Sequence, residues 1–129
     1  KESIRHLALE RFLDLHTTTN KFEFPKDFIP RKYYDNVVGI YVNEELPVVN
    51  LKIRVYSVQM EYMRMLPLHK SQSEVKSRYG EFAEFTYRVC LTPELKSKIL
   101  AMGPNVEVLE PAEYREEIKK EISLMINRY

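Results

Sequence analysis

The sequence predicts a mixed α+β fold, a sheet carrying helices on one side, and three observations predict it. Residues 48–56, VVNLKIRVY, alternate: Leu51, Ile53 and Val55 point one way and Lys52, Arg54 and Tyr56 the other, as in a strand with one buried face. Residues 73–91, SEVKSRYGEFAEFTYRVCL, read as a hairpin turning at Gly80. Thr92-Pro93 opens a helix that Gly103-Pro104 closes, because Thr is a good N-cap and Pro suits the first helical position.

The remaining elements follow in order. The opening IRHLALERFLDL, residues 4–15, fits two periods. Ile4, Leu7, Ala8, Phe12 and Leu15 fall at helical spacing, whereas Leu7, Leu9, Leu13 and Leu15 alternate, with Arg5 and Arg11 on the same parity. Residues 17–36 mix turn formers with aromatics and read as a partly packed connector, with Asp27 placed to cap a turn and Pro30 to open a short helix. VVGIYV, 37–42, fits a strand and an extended segment equally. Ser57 is expected to N-cap a helix ending at Pro67, with Val58, Tyr62 and Leu66 as its apolar stripe. In the hairpin Phe85, Tyr87, Val89 and Leu91 share a face, and Phe82, on the other parity, points to a bulge near Ala83. Leu95, Ile99 and Met102 line the helix after Thr92. NVEVL, 105–109, is a short strand with Val106 and Val108 inward. Pro111 opens a last helix with Tyr114, Ile118, Ile122 and Met125 on one side and Arg115, Glu116, Glu117, Lys119 and Lys120 outside. The order from residue 48 is that of a ferredoxin-like βαββαβ sandwich with an additional C-terminal helix. Two helices on one face leave the other solvated or covered, and the last helix or a second copy is a candidate cover.

Composition narrows the function. The 129 residues suffice for one compact domain, or for a small domain plus a fragment. Twenty basic and 19 acidic residues nearly cancel, which argues against binding polyanions by bulk charge. Lys52–Arg78 holds six basic residues against Glu61 and Glu74, and Asn105–Tyr129 six Glu against four basic residues, a mild asymmetry that solvated faces explain. One cysteine excludes an intrachain disulfide and fits a reducing, cytoplasmic setting. No apolar run approaches the roughly 18 residues of a membrane span, and no signal peptide is visible. The first residue is Lys1, so the chain is expected to be a piece of a longer protein.

Catalytic chemistry finds no constellation. Cys90 sits between Val89 and Leu91 in a strand, without a Gly-rich elbow, and reads as structural. His6, His16 and His69 are scattered, no pair of them at metal-ligand spacing, so neither a metal nor a cofactor is expected. Three glycines make no phosphate-cradling loop. An RNA-binding sheet of this topology would stack bases on aromatics, but the third strand reads YGEFAEFTY and the first has Lys52 where a ring is wanted, a poor match.

The order of several short blocks resembles one family. IRHLALERFLDLHTTTNKF is similar to the end of a WYL domain, the Sm-like β-barrel of bacterial transcription regulators: Arg5, Leu9, Glu10, Arg11 and Phe12 match its R-x-x-x-L-D-R-[IL] motif with Glu10 for Asp, and Phe22 matches the aromatic that closes it. PKDF…YYDNVVGIYV, LPLHKSQ, TPELKSKILAMGPNVEVLEP and the REEI helix resemble the WYL C-terminal extension, WCX, that follows. The resemblance implies the terminal strands of a truncated WYL domain at 1–22, a connector at 23–47 and a ferredoxin-like WCX domain at 48–129. The matched motif favours strands at roughly 4–9 and 13–18, a β remnant of the barrel bent around Glu10-Arg11. It also implies a non-catalytic, dimerising regulatory module, DNA binding through an N-terminal helix-turn-helix upstream, and an effector that is a single-stranded nucleic acid or a small molecule. Arg5 and Arg11 match the positions from which family arginines reach ligand; pairing with Glu10 or Asp14 is their structural alternative. Strand edges left open by a truncated barrel favour a homodimer. The alternative function is a ferredoxin-like small-molecule-binding regulatory domain.

Overall fold

The structure is a computed structural model that describes Arg5 and residues 7–129. Strands β1 (Val48–Tyr56), β2 (Ser73–Arg78), β3 (Phe82–Cys90) and β4 (Val106–Glu110) form one antiparallel sheet in the order β2-β3-β1-β4. With helices α2 (Gln59–Met65) and α3 (Pro93–Ala101) this is the ferredoxin-like arrangement, preceded by the short α1 (Pro30–Tyr33) and followed by α4 (Ala112–Ile126).

The two-residue alternation builds the core. Leu51, Ile53 and Val55 of β1, Ala83, Phe85, Tyr87 and Val89 of β3 and Val108 of β4 all turn to the same face, where Met60 and Met63, Leu95 and Ile99, and Tyr114 and Ile118 come down from α2, α3 and α4. Each fully buried large side chain contributes about 1.5–3 kcal/mol. All three helices therefore cover one face, and α4 extends that layer rather than covering the other side of the sheet.

Several local expectations hold for their stated reason. Thr92 Oγ1 accepts a hydrogen bond from the Leu95 N–H at 3.2 Å, with Pro93 at the first helical position. Gly80 turns the hairpin at φ +73°, and Gly103 ends α3 at φ +57°. Residues 37–42 form bends and extended backbone, not a strand, and Val37 and Val38 pack into the domain.

Others are corrected. Ser57 does not cap α2: it takes φ +55°, and Val58 becomes the residue before the helix. That tight exit from β1 rotates α2, so Met60 and Met63 face the core while Val58, Tyr62 and Leu66 face outward, Tyr62 59% and Leu66 78% exposed. The hairpin bulge lies at Val75 on β2, not near Ala83; β3 keeps continuous register with β1 through Val55↔Ala83. Phe82 needs no bulge, because it belongs to the open face opposite Tyr56. A second irregularity at Leu109 shifts β4 against β1.

The β remnant expected at 4–9 and 13–18 is not formed among the described residues; Ile4 and His6 lie outside them. Leu9–Arg11 make a 3-10 turn, and Leu7, Leu9, Leu13 and Leu15 are exposed. Short strands need a partner to receive their backbone hydrogen bonds, and none of this sheet's strands pairs with them.

Two substitutions test the two helix starts. Thr92→Ala is expected to lower the free energy of unfolding by about 1 kcal/mol. Ser57→Gly is expected to raise it by up to about 1 kcal/mol, since glycine adopts positive φ without the penalty of a Cβ. Urea midpoints check both, and a destabilised Ser57→Gly variant would contradict the account of the β1–α2 junction.

Candidate functional site

Among the described residues, chemistry-bearing side chains gather in three places: the open face of the sheet, the strap that ties the connector down, and a groove beside α4. On the open face a row of alternating charge crosses all four strands. Lys76 on β2 stands opposite Glu84 on β3, Glu84 opposite Arg54 on β1, and Arg54 opposite Glu107 on β4. Glu84 is only 2% exposed and is held at both oxygens, by Lys52 Nζ at 2.9 Å and by Arg54 Nη2 at 2.7 Å. Glu107 accepts from Tyr56 Oη at 2.8 Å and pairs with Arg115 Nη2 at 2.7 Å. A carboxylate this buried stays charged only because it is paired. Lys52 and then Arg54 hold the Glu84 carboxyl below its ordinary 4.5. The Arg54 guanidinium lies 4.6 Å over the Phe82 ring and Lys76 Nζ 5.5 Å from it, so cations occupy the surface a stacked base would need.

The strap runs from Asp35 to Leu46. Glu94, in the first turn of α3, receives the Ile40 and Tyr41 N–H groups on one oxygen, each at 2.7 Å. Gly39 allows this approach: it takes φ +100°, and a Cβ there would run into the Glu94 carboxylate. Cys90 N–H donates to Asn36 O at 2.7 Å, and its thiol, pushed up by burial, points to Leu46 O at 3.5 Å. His69 Nε2 meets Asp35 O at 2.9 Å; a carbonyl only accepts, so the ring hydrogen is on Nε2, and Nδ1 receives the Ser71 N–H. Lys70 pairs with Asp35 and holds its carboxyl low. Gln72 completes the loop, accepting from Tyr87 Oη at 2.8 Å and donating to Met63 O at 2.6 Å. The polar residues of LPLHKSQ are thus structural ties.

The groove lies between α3, β4 and α4. It encloses about 520 Å³ and is walled mainly by Leu100, Pro104, Val106, Ile118, Ile122 and Met125, with Arg115, Lys119 and Glu107 as its charged groups. Arg115 also donates to Val108 O at 2.7 Å.

Arg5 and Arg11 are exposed, in a stretch where residues 9–27 are all exposed, and the structure brings neither of them to the three places above. His16 lies 3.7 Å from Asp14 on the surface. Among the described residues no group of three or more His, Cys, Asp or Glu is placed to hold a metal ion.

A family model for the WCX domain matches residues 47–126. The chain belongs to the WCX family. No curated protein matches it. WCX domains are regulatory domains of WYL-type regulators, a family of transcription regulation and not of catalysis. The WCX match starts one residue before β1 and ends with the last residue of α4, so the sandwich and its additional helix together form the family unit. Among the described residues no helix is long and apolar enough to cross a membrane.

Sequence reasoning missed Glu94 and Glu84. The signal for Glu84 was present, since charges occupy the outward parity of both central strands of the WCX domain. Glu94 is matched to Gly39 from 55 residues away, and only the lone glycine in an apolar run hinted at a close approach.

Two measurements check these sites. A depressed carboxyl pKa contributes stability that is present above pH 4.5 and lost as pH falls through the folded value. Glu84→Gln is therefore expected to lower the urea midpoint at pH 7, with the difference from wild type shrinking below pH 4.5; a constant difference down to pH 3 would mean the Lys52 and Arg54 pairings do not matter. Glu94→Ala is expected to speed hydrogen exchange at the Ile40 and Tyr41 amides while β1 amides keep their protection, and unchanged exchange there would show that the strap does not depend on Glu94.

Proposed function

We propose that this chain is a non-catalytic regulatory and dimerisation module that couples effector sensing by a WYL domain to DNA binding by an N-terminal helix-turn-helix. In this reading residues 1–22 are the end of the WYL domain, 23–47 the connector and 48–129 the WCX domain. Arg5 and Arg11 contribute to effector binding, of a single-stranded nucleic acid or a small molecule, when the barrel is whole. WYL regulators generally bind DNA and form dimers, which makes a second copy and DNA the expected partners.

The observation that carries the coupling role is the strap. Bonds to Asp35, Asn36, Ile40, Tyr41 and Leu46 fix the second half of the connector to the sandwich, so a displacement that reaches Asp35 is handed to the WCX domain rather than absorbed by a loose linker. The outward stripe of α2, with Val58, Tyr62, Met65 and Leu66 exposed, supports self-association. A second reading, a small-molecule-binding regulatory domain, is favoured by the groove beside α4.

In the full-length regulator, deleting residues 48–129 is expected to abolish dimerisation, measured by sedimentation, and the change in operator binding that the effector produces. Undiminished dimerisation with an unchanged effector response would overturn the proposal.

A further inference from the structure

We propose that the groove between α3, β4 and α4 is a binding site for a small apolar monoanion, with a medium-chain carboxylate as the simplest representative. Its volume, about 520 Å³, falls within the range of small-ligand pockets, about 300–1,000 Å³. Its walls are mostly apolar, and such sites orient their ligand with a few polar groups.

The charged groups in the lining fix the sign of the ligand. Arg115 and Lys119 are four residues apart on α4 and so share a face, against the single carboxylate of Glu107. Glu107 is already held by Tyr56 and Arg115, with Arg54 Nη1 at 3.9 Å. Arg115 has donated one N–H to Glu107 and one to Val108 O, and a guanidinium has five. Lys119 donates to the exposed Glu116, one bond from a group that has three. Both cations keep donor capacity, and the lining sets two of them against one carboxylate whose oxygens already take Tyr56 and Arg115, so the site favours an incoming carboxylate, which gains charge-assisted hydrogen bonds, over an incoming cation.

The same charges argue against a second copy as the occupant. A two-fold contact centred between Arg115 and Lys119 would set these cations against their own copies. The stripe that suits self-association is on α2.

The proposal deepens the second, small-molecule-binding reading and is tested on the chain itself, so its failure and a failure of the dimerisation and coupling role in the operator experiment are separable. Decanoate, kept below its micelle concentration, is titrated into the full chain by calorimetry, with decyltrimethylammonium as a cation of the same chain length. One decanoate per chain is expected to bind saturably and the cation not at all. Lys119→Glu is expected to weaken decanoate at least about tenfold. Ile122→Asp, at a half-exposed position on the groove wall, is expected to abolish binding while circular dichroism and the melting temperature report a folded chain. No saturable binding, or equal binding of both amphiphiles, overturns the proposal. So does an Ile122→Asp variant that still binds decanoate but sediments as a smaller species, which would make the groove a contact between copies.

Discussion

Glu84 sets the terms for the open side of the sheet. It stands in the middle of β3, nearly inaccessible, with Lys52 and Arg54 closing over it from β1. Because a buried carboxylate requires both cations, Lys52 and Arg54 are committed to it, and Arg54 in turn lies over Phe82 and near Glu107. The face becomes a self-satisfied lattice rather than a platform of available bases. The core face is apolar, so the sandwich has two sides of opposite chemistry joined through the same two central strands.

That division explains what the sequence disclosed. Alternation in VVNLKIRVY and in FAEFTYRVC carried both faces at once, and β1 begins and ends where its pattern does. Thr92-Pro93 and Gly103-Pro104 act within a few residues, and short-range chemistry of that kind survives without knowledge of the rest of the chain. Helical spacing fits two faces of VQMEYMRML, and only the backbone turn at Ser57 decides which one is inward. An inserted residue on either arm of the hairpin repairs the same mismatch, so the pattern alone does not place the bulge on β2. The strands expected near Arg5 and Arg11 depend on neighbours that residues 7–22 do not find in this sheet.

The candidate sites were legible in unequal measure. The charges of the open face could be listed from parity, but their order across four strands needed the register. The strap needed long-range pairing: Gly39 with Glu94, Asp35 with His69 and Lys70. The groove was half visible, in the unbroken apolar stripe of the last helix, whose second half extends beyond what α3 and β4 cover, leaving Ile122 and Met125 partly exposed.

The extra residue at Val75 has a consequence for how molecules of this kind can assemble. β2 is an outer strand of the sheet, and an outer strand with a regular ladder is a template for the next chain. Here the ladder is interrupted between Glu74 and Lys76, and the part beyond it carries Lys76 and Arg78. A strand arriving at that border meets a broken spacing of acceptors and two positive charges. Edge-to-edge pairing along β2 is thereby discouraged, so this border of the sheet does not invite a further strand.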